Sequence, residues 1–203
     1  MTKMDGEMRE KITMGMMVVC LVLALVAMFS TSWLVSEGDE SEGEPDATSS
    51  LTTMYMELGS SEECDGTVAV YDAMGMEAEC DGKELSIAWS EVCDEMDDDD
   101  ACDTASAGMT ATICMWLGIG MALVCVLMAV LPMAGVDAMD NLPEMAGMIA
   151  SWAAGGMMIL GLILWKIMLP DGDASMGMAT YMAIIAGVMG LASTAMNTFM
   201  ADE

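Results

Sequence analysis

The chain has 203 residues, with 33 acidic side chains against five basic ones, no histidine, and a hydrophobic fraction of 55%. That charge balance excludes nucleic-acid binding, which draws its affinity from Lys and Arg neutralising phosphates, and the commonest general base is missing. So much charge beside so much apolar surface requires the two to be separated along the chain. They are: the windows 12–35, 107–131, 145–169 and 176–200 contain a single charge, Lys166.

Residues 1–11 carry Lys3, Arg9 and Lys11. Basic residues flanking membrane helices stay in the cytoplasm, so this segment predicts a cytoplasmic N-terminus. Window 12–35 follows. It is long for the apolar stretch of a signal peptide and has no clean cleavage site, so it reads as an uncleaved membrane helix. At about 1.5 Å per residue it spans a hydrocarbon core of about 30 Å. "CLVLALVAMF" (20–29) shows no polar face at helical spacing, unlike an amphipathic soluble helix.

Residues 36–106 form the one long loop, extracytoplasmic on this orientation, with 23 acidic residues and one base, Lys83. Its start, 36–50, "SEGDESEGEPDATSS", reads as a flexible acidic lead-in, with too little apolar surface to offset ordering. Order is expected from Leu51. "LTTMYMEL" (51–58), "TVAVYDA" (67–73) and "KELSIAW" (83–89) read as short strands of a small antiparallel sheet. "ECDG" occurs at 63–66 and 79–82, and Asp-Gly predicts a tight turn in each.

Four cysteines lie in this loop: Cys64, Cys80, Cys93 and Cys102. An even number in an exported segment points to disulfides. Three pairings are possible; Cys64 with Cys80 would link the repeats and Cys93 with Cys102 would close the acidic run. A zinc site is the weaker alternative, since there is neither C-x-x-C nor histidine. A membrane thiol–disulfide oxidoreductase is another, although the surrounding carboxylates disfavour a thiolate. In "DEMDDDDACD" (94–103), Asp97, Asp98, Asp99 and Asp100 are the candidates for loose binding of a divalent or monovalent cation. No register fits an EF-hand, and the plainer reading is a solvated, self-repelling surface. The acidity of every water-facing segment also suits a saline habitat, where charge is screened within about 3 Å at 1 M salt.

Window 107–131 predicts the second membrane helix, 132–144 a cytoplasmic loop, 145–169 the third helix, 170–175 a short outer loop, 176–200 the fourth helix and 201–203 a cytoplasmic C-terminus. Short connections predict antiparallel neighbours. Lys166 can reach the interface beside Trp165, with Asp171 or Asp173 as a partner. Gly147, Ser151 and Gly155 recur every four residues on helix three, and Ala179, Ala183 and Gly187 on helix four. Such ridges allow close helix packing, within the bundle or between copies. Cys20, Cys114 and Cys125 are small apolar fillers within the spans.

The layout resembles the claudin and peripheral-myelin-protein superfamily. The matching residues are Trp33 just after the first helix, then Trp89, Cys93 and Cys102 before the second. The resemblance implies a left-handed four-helix bundle bearing a small antiparallel sheet, a Cys93–Cys102 disulfide, and Trp33 and Trp89 packed at the base of the sheet. This chain departs in reading "IAW" where the family has Gly-Leu-Trp, in placing Cys93 four positions after Trp89 rather than three, and in having Cys64 and Cys80.

The expected protein is thus an all-α membrane protein, an antiparallel four-helix transmembrane bundle with a small antiparallel β-sheet in its first extracytoplasmic loop. No catalytic motif or cofactor site is expected. Its expected partners are the lipid bilayer, cations, and either a membrane-protein partner or further copies of itself. Its expected function is to display the acidic loop for structural contact, or to serve as an auxiliary subunit of a larger membrane complex.

Overall fold

A computed structural model describes residues 6–36, 46–131, 144–170 and 174–199. In chain order it runs α1 (Gly6–Met28), β1 (Leu34–Ser36), β2 (Ala47–Ser49), β3 (Thr53–Glu57), α2 (Ser61–Ala73), β4 (Ala78–Asp81), β5 (Glu84–Ala88), α3 (Trp89–Met96), α4 (Asp99–Val130), α5 (Glu144–Met168), β6 (Ser175–Met176) and α6 (Met178–Phe199). The chain divides into a helical unit (Met1–Met28, Ile113–Leu162, Met182–Glu203) and a sheet unit (Phe29–Thr112, Ile163–Tyr181).

Among the described residues, four helices are long and apolar enough to cross a membrane: Met8–Met28, Asp99–Val130, Gly147–Met168 and Met178–Phe199. Within the helical unit their contacts run antiparallel. A β-carbon at Gly118 would lie 2.9 Å from the Ala154 carbonyl, and one at Gly147 lies 3.7 Å from Met128 Sδ, so α4 and α5 pass in opposite directions. Gly155 meets Gly190 while Gly187 meets Ile159, which does the same for α5 and α6. Ser193 Oγ donates to the Thr13 carbonyl at 2.9 Å, joining α6 to α1. The interior is lined by small residues, among them Ala24, Ala122, Ala154, Ala183 and Ala186.

The windows differ from the helices at three ends. Window 12–35 overruns α1, which stops at Met28. Ser30 and Ser32 hydroxyls lie 3.0 Å apart and Ser30 Oγ accepts the Ser32 N–H, a local alternative to helical bonding. Leu34–Ser36 then leaves as β1. The second apolar window began at 107, whereas α4 begins at Asp99 and runs 32 residues, about 48 Å. A bilayer core takes about 20 residues, so the polar first turns, through Ser106, exceed what a span needs. The outer loop, expected at 170–175, contains the first residue of β6.

The sheet is antiparallel with order β4-β5-β3-β2-β1-β6. β3 and β5 lie where strands were expected. The flexible lead-in 36–50 needs correction: Ala47–Ser49 is a strand paired with both β1 and β3. Its register partners are the segments on either side of it in sequence, which composition alone does not reveal. Residues 37–45 lie outside the described set, as do Asp171 and Asp173, the expected partners of Lys166, and 132–143 of the inner loop.

"TVAVYDA" is the larger correction, being the second half of helix α2. Its β-branched residues suit a strand, but the ends decide. Ser60 Oγ accepts the Glu63 N–H at 3.2 Å, and Glu62 and Glu63 sit in the first turn against the positive helix end. At the other end Gly75, at φ 90°, sends its N–H to Asp72, and the Met76 N–H bonds the Tyr71 carbonyl at 3.0 Å, a Schellman stop. Cys64, Val68 and Tyr71 then face the sheet and pack on Leu85, Ile87 and Ala78. The first "ECDG" is accordingly helical, and only the second turns: Gly82, at φ 68°, is the first residue of the two-residue β4–β5 connection.

Candidate functional site

The four loop cysteines form two disulfides. Cys64–Cys80 ties α2 to β4, with Cα atoms 6.0 Å apart, and Cys93–Cys102 ties α3 to α4 at 4.6 Å. Cys64 is wholly buried in the sheet unit's core beside Met76 and Leu85. Cys20 and Cys114 are buried free thiols and Cys125 is partly buried.

The two tryptophans meet at a residue of the acidic 36–50 stretch, Ser49. The Trp33 N–H donates to the Ser49 carbonyl at 2.7 Å. Trp89 Nε1 donates to Ser49 Oγ at 2.9 Å, and that hydroxyl donates onward to the Ser50 carbonyl at 2.6 Å. Trp33 is fully buried, edge-on to Trp165 with centroids 5.5 Å apart. Its carbonyl accepts from the Gly177 N–H and from Thr180 Oγ1, at 2.9 and 2.8 Å. Ser49 therefore meets both tryptophans, Trp33 through its backbone and Trp89 through its hydroxyl, and nothing local distinguishes it from the other serines of the acidic stretch.

The acidic run serves helix ends. Asp97 closes α3 in the left-handed conformation, φ 51° and ψ 39°, which Asp tolerates better than most residues. Asp98 Oδ1 accepts the Asp100 N–H at 3.1 Å, as an N-cap does, and Asp99 and Asp100 occupy the first turn of α4. Among the described residues no three Cys, Asp or Glu side chains are grouped to hold a metal ion, so Asp97 to Asp100 do not form a coordination cage. Asp98→Ala should lower the stability of the sheet unit by about 1 kcal/mol, while Asp98→Asn should keep most of it. Thermal unfolding followed by tryptophan fluorescence distinguishes them.

A second acidic feature lies on the sheet. The register sets Glu57 opposite Glu84 and Glu84 opposite Asp81, placing three carboxylates side by side across three strands on the face away from Leu85 and Ile87. Like charges directly opposed destabilise by roughly 0.2–1 kcal/mol per pair. Glu84→Gln should therefore raise the unfolding midpoint at low salt and leave it unchanged near about 1 M, where the repulsion is already screened. Equal gains at both salts would count against a charge effect.

Of the six small residues expected on helix ridges, Gly155 and Gly187 come together: a β-carbon at Gly155 would lie 2.8 Å from the Gly187 carbonyl and 2.6 Å from Leu191 N. Ala183 is fully buried, and so is Ala179, whose N–H bonds the Ser32 carbonyl. Gly147 and Ser151 instead line a pocket of about 680 Å³ in the helical unit, with Glu10, Met14, Met128 and Asn197. Gly190 and Gly118, which also permit close approach, were not singled out in the sequence because they fall outside the four-residue ridges.

No protein-family model and no curated protein matches the sequence.

Proposed function

We propose that this chain is a multi-pass membrane protein without enzymatic activity. Both termini are cytoplasmic, and the acidic, disulfide-bonded sheet unit is displayed outside the cell membrane for contact with other molecules. The observation that carries the membrane half of this reading is an inverted distribution of side chains. Many large aliphatics point outward, such as Val22 on α1, Leu117 and Leu123 on α4, Leu160 on α5 and Ile185 on α6, while the interior is made mainly of alanines with the methionines Met17, Met115 and Met158. In water this would expose apolar area far beyond an ordinary surface patch, whereas in lipid it is the expected packing. Two disulfides on the longest polar stretch support an oxidising, extracytoplasmic location for it.

Displaying a rigid surface fits these disulfides better than thiol exchange does, because one sulfur of the first pair is enclosed in the core. The claudin-like reading rests on Trp33, Trp89, Cys93 and Cys102 together with four long apolar helices and an antiparallel sheet. It is proposed for the architecture and for the display role.

The test is chemical. The protein should stay in the membrane pellet after carbonate washing, and a membrane-impermeant amine reagent should label Lys83 but not Lys11 in intact cells. Release into the supernatant would overturn the membrane assignment, and labelling of Lys11 alone would invert the orientation.

A further inference from the structure

The outward face of α2 is apolar over its last two turns. Cys64, Val68 and Tyr71 mark the face turned to the sheet. Gly66, Ala69, Val70, Ala73 and Met74 lie around the rest of the helix and are all exposed, Val70 at 57% and Met74 at 43%. A β-carbon at Gly66 would meet nothing within 4 Å. The end of α3 lies beside the end of α2: a β-carbon at Gly75 would lie 3.1 Å from the Glu95 carboxylate, and Met96, the residue after Glu95, is 51% exposed. Within 46–106, Val70, Met74 and Met96 are the exposed large hydrophobics, and all three fall at these two helix ends.

We infer that this strip is a docking surface for a cationic amphipathic helix of a partner protein. The inference rests on the proposed display of the sheet unit and names its partner's chemistry. Small side chains at 66, 69 and 73 let a second helix backbone approach closely, and Val70 and Met74 supply a ridge for its apolar face. The rim chooses among occupants. Every charged residue of α2 and α3 is acidic: Glu62, Glu63, Asp65, Asp72, Glu91, Asp94 and Glu95. A second copy would bring the same negative rim against this one, and an anionic lipid surface would be repelled likewise. A helix with Lys or Arg flanking an apolar stripe satisfies both the strip and the rim.

The experiment uses the full-length protein in its native membrane, with a photo-crosslinking benzoylphenylalanine in place of Met74 and, as control, of Glu79 on the opposite sheet face. The Met74 position should give about tenfold more protein adduct than the Glu79 position. The captured peptide should be helix-forming, with basic residues around an apolar stripe. Introducing Ala69→Lys with Ala73→Lys should reduce capture by about the same factor; both sites are exposed, and unchanged mobility on non-reducing gels will show that the disulfides survive. Equal yields at the two positions, adducts only with lipid or with a second copy, or captured peptides lacking basic residues would overturn the inference. Lys83 labelling on the same cells separates the two failures. If Lys83 is labelled and nothing is captured, docking fails and display stands; if Lys83 is protected, both fall.

Discussion

Replacing Cys64 and Cys80 together by alanine lowers the stability of the sheet unit by about 3 kcal/mol, and replacing Cys93 and Cys102 lowers it by a similar amount, about 2.5–3 kcal/mol. Both figures follow from loop-closure entropy for sequence separations of 16 and 9. The first pair closes the larger loop and also holds α2 against β4, where Cys64 contributes to the core. The two rings do not overlap in sequence, so the losses should add to about 6 kcal/mol. Typical domain stabilities are about 5–15 kcal/mol, which leaves the sheet unit close to unfolding when both are removed. Melting under non-reducing and reducing conditions, read by fluorescence of Trp33 and Trp89, measures the difference. Order of reduction gives a second check. Both Cys93 and Cys102 are partly exposed, whereas in the other pair Cys80 is partly exposed and Cys64 fully buried, so mild reductant should open Cys93–Cys102 first. An unchanged midpoint after complete reduction would mean that the core stands without its crosslinks.

Two adjacent glycines on α5 should respond oppositely to the same methyl group. Gly155→Ala places a β-carbon 2.6 Å from Leu191 N and 2.8 Å from the Gly187 carbonyl, both backbone atoms that cannot swing aside. The helices must separate, and overpacking of this kind destabilises by about 1–3 kcal/mol. At Gly156 a β-carbon meets nothing within 4 Å, so Gly156→Ala should be neutral or stabilising by up to about 1 kcal/mol, the helix-propensity difference. Thermal aggregation of the detergent-solubilised variants gives the comparison. If both variants melt alike, α5 and α6 do not meet through Gly155.

The unevenness of what could be read from the residues has physical causes. Long apolar spans are additive along the chain, since each residue contributes its own transfer free energy, so four helices were legible without knowing any contact. The strands β3 and β5 were legible because their own residues form short, partly alternating runs with β-branched and aromatic side chains. "TVAVYDA" was misread because its composition is ambiguous between helix and strand. What resolves it lies outside the segment, in the Ser60 cap with Glu63 and in the Gly75 stop. The quadruple aspartate is conspicuous by charge, and charge alone does not show that Asp97 ends α3 while Asp98 to Asp100 start α4.

Segregation of charge from apolar surface, the count of spans and the need for crosslinks in a loop poor in core residues follow from composition and order, because they depend on what each residue does in water or lipid. The pairing of β1 with β6, some 140 residues apart, the convergence of Trp33 and Trp89 on Ser49, and the exposure of one face of α2 depend on which segments meet. Such meetings are set by the joint packing of distant pieces of chain, and no local stretch contains the information.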